Sequence, residues 1–136
     1  MAGMTIRDRR VVASTAGAGI LSPAIVLRVE GLAAFVAGVA LFGSLRGEWL
    51  WLVPLLLLPD VSIAGYLSGP RVGATVYNVI HNWALGLAVI GVGVLVTAPA
   101  LQLAGAILVA HVGMDRLVGY GLKYPDQFKI THLQRV

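Results

Sequence analysis

The chain has no cysteine. Disulfides are therefore excluded, and so is any metal site built on thiolates. Charge is nearly as scarce. Asp, Glu, Lys and Arg make up 12% of the 136 residues, where a soluble domain carries about a quarter. A soluble fold of this length would lack the polar surface to stay dissolved. What is present is apolar: 58% of residues are hydrophobic, and the mean hydropathy is +0.87. The length allows one domain. In such a chain a net charge of +4 reads as basic residues gathered at anionic lipid headgroups. Membrane lipids are the expected partners, and nucleic acid is not.

A bilayer core is crossed by about 20 apolar residues in a helix. Four segments meet that length, at residues 24–44, 49–67, 72–97 and 99–122. Residues 1–23 precede them and residues 123–136 form a tail. Arg9-Arg10 ahead of Val11–Leu21 has the outline of a weak signal sequence. The stronger apolar run that follows at once favours a retained N-terminal segment. The joints are short, which forces neighbouring helices to run antiparallel. The expected fold is an all-α membrane protein, a four-helix bundle running up-down-up-down. With the N-terminus inside, Arg7, Arg9, Arg10, Arg71, Lys123, Lys129 and Arg135 are all cytoplasmic, and Arg46 is outside. The excess of basic residues on one side therefore puts both termini in the cytoplasm, in the inner membrane if the cell is bacterial. Gly31, Ala34, Gly38, Gly86, Gly93, Gly105 and Gly113 let backbones approach closely. They suit packing within one bundle or the interface of a homodimer.

Polar residues fall at one level. Counting 1.5 Å per residue from the cytoplasmic end, Glu30, Asn78 and Asp115 lie roughly 9–10 Å in, Asp60 about 11 Å, His81 about 13 Å and His111 about 16 Å. An unpaired charge near mid-membrane costs about 3 kcal/mol, so these groups must pair with one another or with a ligand. His111 and Asp115 are four apart and share a helix face, as do Asn78 and His81 at three apart and Tyr77 and His81 at four. Pro59 precedes Asp60 and should kink or break the second helix there, freeing backbone carbonyls. Three readings fit: a hydrogen-bonded network that fixes the bundle, a metal-free proton relay or ligand site, and a metal site. Two His with carboxylates and no thiolate suit Zn, Fe or Mn.

Two blocks of motifs carry a resemblance. One holds Pro59-Asp60, Gly65-Tyr66, Gly69-Pro70-Arg71-Val72-Gly73-Ala74, Tyr77-Asn78 and His81. The other holds His111, Gly113, Asp115-Arg116, Gly119-Tyr120-Gly121-Leu122-Lys123-Tyr124, Phe128 and Thr131-His132-Leu133. From about Leu27 to the C-terminus the chain resembles a small bacterial integral-membrane family, domain of unknown function 4260. The resemblance implies no reaction. It marks Asp60, Tyr66, Arg71, Tyr77, Asn78, His81, His111, Asp115, Arg116 and His132 as signature positions.

The expectation is a polytopic membrane protein with a cytoplasm-facing His/Asp/Asn site, acting as a metal-dependent enzyme on a lipid or headgroup. Asp60, His81, His111 and Asp115 are the expected metal ligands. Asn78, Tyr77 and His132 are assigned to catalysis, and Arg71, Arg116 and Tyr66 to substrate. Glu30 is expected to close the cavity; the tail reads as an interfacial segment at the headgroups, with a lid, Thr131 and His132 folding back over the cavity mouth, as the alternative. Proton-coupled transport by an oligomer and a purely structural or assembly role are the alternatives.

Overall fold

The computed structural model describes residues 21–136. The N-terminal basic residues Arg7, Arg9 and Arg10, and the weak apolar stretch to Ile20, lie outside the described residues. The described chain is mostly helical. Its elements are α1 (Pro23–Ser44), α2 (Trp49–Leu57), a 3₁₀ segment (Leu58–Ser68), α3 (Pro70–Ile80), α4 (Trp83–Leu95), α5 (Pro99–Val118), β1 (Lys123–Tyr124), β2 (Gln127–Thr131) and a 3₁₀ turn (His132–Gln134). Helices α1, α3 and α5 open on proline, where the missing N–H has no partner to lose.

Three helical stretches are long and apolar enough to cross a membrane: Pro23–Ser44, Trp49–Ser68 and Pro99–Val118. Helices α3 and α4 make a fourth if counted as one span bent by 47°. The outward surface fits lipid. Leu50 is 82% and Leu67 92% exposed, which in water would be an association-prone surface. These findings describe a membrane protein.

Helix α5 is the centre of the structure. It is buried along most of Gly105–Arg116 and is flanked by α1 on one side and α4 on the other. Glycine makes both approaches close. A Cβ at Gly113 would stand 2.7 Å from the Gly31 carbonyl, and one at Gly105 would stand 2.8 Å from the Gly86 carbonyl. These small residues are thus used inside one chain. Helix α3 packs with the 3₁₀ segment as a second pair.

One local feature follows the sequence expectation and three differ from it. The stretch 72–97 is not one long tilted helix, because Asn82 divides it. Its Oδ1 accepts from Leu85 N–H at 3.0 Å, capping α4, and its Nδ2 donates to Asn78 O at 3.0 Å and Val79 O at 2.6 Å, closing α3. Asparagine is among the best N-cap residues. The stretch 49–67 changes from α to 3₁₀ at Leu58–Pro59, the break expected there, because proline has no N–H to give. The last helix stops at Val118 rather than 122, because Gly119 takes the left-handed conformation, φ 101°. Finally, the tail is not helical or free. It is an antiparallel hairpin pairing Lys123 with Thr131 and Tyr124 with Gln127, so the fold carries a small β element that an all-α reading omits.

Candidate metal centre

The proline break sets the first ligand. In a 3₁₀ turn the Leu56 carbonyl would accept from residue 59, and Pro59 has no N–H. That freed carbonyl receives His111 Nδ1–H at 2.5 Å. His81 sits at the C-terminal end of α3, and its Nδ1–H donates back to the Tyr77 carbonyl at 2.9 Å. In both rings Nδ1 is thereby the donor to a carbonyl, and Nε2 is the nitrogen turned into the cluster. The two Nε2 atoms stand 2.9 Å apart. His81 is 1% and His111 0% exposed. Two ring nitrogens at that separation either share a proton or face a common cation.

Two carboxylates complete the group. Asp115, one turn after His111, places Oδ2 3.7 Å from His111 Nε2 and 3.8 Å from His81 Nε2. Asp60, delivered by the 3₁₀ segment, places Oδ1 3.5 Å from His81 Nε2 and 3.6 Å from His111 Nε2. All four ligand atoms lie within 4.8 Å of one another. Tetrahedral ligands held about 2.0–2.1 Å from a zinc-like ion are about 3.3–3.4 Å apart. The distances bracket that value, so the donor set fits a divalent transition metal. Asp115 is buried, whereas the Asp60 side chain is 42% exposed. Asp60 therefore forms the open side.

A supporting layer surrounds them. Tyr77 stacks on His81 with ring centroids 3.7 Å apart, and its hydroxyl donates to Asp115 Oδ2 at 3.2 Å. Arg116, 5% exposed, donates to Tyr120 O at 3.2 Å and His81 O at 3.4 Å. Asn78 points to the tail rather than into the cluster. It accepts from Lys123 N–H at 2.7 Å and donates to Lys123 O at 2.8 Å, acting as a strand partner. His132 Nδ1 accepts Leu122 N–H at 2.8 Å and so holds the hairpin's base. Tyr66 lies against Gly73 and packs edge-on to Phe128. Arg71 is exposed at the start of α3, near Pro125-Asp126, away from the cluster. Glu30 does not close the site. It is exposed on α1, because α1 turns its Gly31 face toward α5.

Two participants escape a reading of sequence spacing. One is the Leu56 carbonyl, legible only through the consequence of Pro59. The other is Lys123, whose ammonium lies 3.6 Å from the Phe128 ring centroid, 4.5 Å from that of Tyr77 and 5.6 Å from that of Tyr66. Burial pushes its pKa down from the usual 10.5, and the charges of Asp115 and Asp60 pull it back up.

Comparison with known families settles the membership. The family model described as Domain of unknown function (DUF4260) matches residues 24–136. The chain belongs to the DUF4260 family. That match spans α1 through the C-terminal hairpin and contains every residue of the His/Asp group. No curated protein matches this DUF4260 chain, and no solved structure does.

Proposed function

We propose that this DUF4260 chain is a membrane-embedded, metal-dependent hydrolase acting on a lipid or headgroup substrate at the cytoplasmic leaflet. The observation that carries the reading is the pair of buried Nε2 atoms 2.9 Å apart, each ring oriented by a carbonyl behind it, with two carboxylates in the same group. A shared proton would relieve the two imidazoles but leave the group with a net negative charge beside the apolar core. A divalent ion also balances Asp60 and Asp115, which matters because an uncompensated buried charge is costly. Zn, Fe and Mn are the candidates.

Such an ion, when bound, supplies Lewis acidity and a water of lowered pKa. The chain supplies the rest. His81, His111 and Asp115 are the closed side of the donor set, and Tyr77 holds Asp115 in orientation. Asp60, at the open side, is the group that substrate and water meet. Arg116 anchors the His81 carbonyl from behind. The α3–α4 pair counts as the third of four spans, and the basic residues favour cytoplasmic termini and a bacterial inner-membrane location. The site then opens toward the inner leaflet.

The test strips purified protein with a chelator, reloads it with zinc, manganese or ferrous iron, and follows product release from a phospholipid extract. Turnover restored by one metal and lost in Asp60→Asn is the expected result. Protein that binds metal yet turns over no lipid with any of the three would overturn the enzymatic reading.

A further inference from the structure

The hairpin brings an ammonium to the site that none of the roles above uses. Lys123 is gripped by its backbone, through both bonds to Asn78 and the pairing with Thr131. Its side chain is thus placed by main-chain contacts and not by its own charge. The ammonium rests among the rings of Phe128, Tyr77 and Tyr66. Aromatic faces attract a cation but neutralise none of its charge. Among the described residues no carboxylate is in ion-pair contact with Lys123 or with Arg116. Tyr77 links this cage to the metal centre, because its hydroxyl reaches Asp115.

Charge counting gives the ligand. With an ion bound between neutral imidazoles, as in the reading above, Asp60 and Asp115 together match its charge. Arg116 and Lys123 then remain as two positive charges, neither within ion-pair distance of a carboxylate among the described residues. A half-buried site with that surplus selects an anion. Tetrahedral oxygens allow one group to meet an ion and an ammonium together.

We propose that Lys123 is the anion-binding residue of this site and that its ligand carries a phosphate group. The assignment rests on the metal reading for its charge surplus, whereas the aromatic cage and the lack of a direct ion pair to Lys123 among the described residues are independent of it. The aromatic rings hold the ammonium over Tyr77, whose hydroxyl reaches Asp115, so little side-chain freedom is lost when phosphate arrives. Phosphate of a lipid headgroup and free phosphate share this chemistry.

The experiment uses the full chain in maltoside detergent and follows thermal stabilisation by added ligand, which reports binding to the folded state. Wild type, Lys123→Met and Lys123→Arg are titrated with inorganic phosphate and with dioctanoyl phosphatidate, each before and after zinc loading. Met keeps the apolar stem and the backbone clamp, so folding is preserved. The half-saturating phosphate concentration is expected to rise about tenfold or more in Lys123→Met, the loss of one charge-assisted bond, and to change little in Lys123→Arg. Phosphatidate acting at far lower concentration than inorganic phosphate would identify a headgroup as the source; equal potency would identify free phosphate. Wild type and Lys123→Met responding alike, or neither responding, while zinc binds normally, would overturn the assignment and leave the metal reading intact. Absence of zinc binding with a Lys123-dependent phosphate response would overturn the metal reading and leave the assignment standing.

Discussion

Asn82 makes three hydrogen bonds at the bend between α3 and α4, and His81 is its neighbour. Substituting Asn82→Ala removes the Leu85 cap and the two bonds that close α3 onto Asn78 and Val79. A helix cap is worth about 1 kcal/mol, and side-chain bonds inside membrane proteins average about 0.6 kcal/mol each. The expected loss is therefore about 2 kcal/mol. Asn82→Asp keeps the cap acceptor and loses only the two donated bonds, so about 1 kcal/mol should go. Stability is read from reversible denaturation in detergent. The consequence for the site is separate. With the break loosened, α3 and α4 drift toward one continuous helix, and the His81 ring loses its aim at His111. Metal affinity, measured by competition with a chromogenic chelator, should fall about tenfold or more, as when an outer-shell partner is removed. Unchanged stability and unchanged affinity in Asn82→Ala would refute the reasoning that this residue builds the bend and that the bend aims His81.

Three further outcomes are expected. The Tyr66 hydroxyl is buried without a hydrogen-bond partner, so Tyr66→Phe should raise stability by about 1 kcal/mol; a fall in the melting temperature would show a partner for it. Gly113→Ala places a Cβ against the Phe35 and Gly31 backbones, atoms that cannot swing aside, and should cost about 2 kcal/mol or more, where Gly91→Ala, with nothing near it, should be near neutral. Burial and the Arg116 guanidinium hold His132 below its usual pKa of 6.5, and its Nδ1 must be unprotonated to accept from Leu122. The unfolded hairpin therefore binds more protons than the folded one, so this contribution is present above about pH 6.5 and is lost as pH falls through the depressed value; amide exchange in Leu122–Thr131 should quicken on acidification, and His132→Gln should abolish that dependence.

Much of the site was legible in the sequence because its causes are local. His111 and Asp115 share a face by spacing alone, and Pro59 before Asp60 announces both the break and a free carbonyl. The depth count brought Asp60, His81, His111 and Asp115 to one level, and side-chain direction then brought their ligand atoms within 4.8 Å. What was not legible depends on tertiary arrangement. Asn82 is a strong helix cap, yet it stands inside a hydrophobic run long enough to span, and hydropathy hides the break. Glu30 has the right depth but lies on the wrong side of α1, because Gly31 decides which face meets α5. Asn78 has the right face for His81, but the returning hairpin claims its amide. Lys123 is distant in sequence from every ligand except those on α5, and only the strand pairing returns it to Tyr77.

The central claim is that two imidazoles and two carboxylates hold one divalent ion. X-ray absorption at the metal edge, with elemental analysis of the same purified sample, addresses it directly. The account predicts about one ion per chain, with two nitrogen neighbours, two carboxylate oxygens and a further oxygen from water at about 2.0–2.2 Å, and loss of the ion in His81→Ala and in Asp115→Asn. Folded protein that takes up no stoichiometric ion, or an ion whose neighbours are unchanged in both variants, would contradict it.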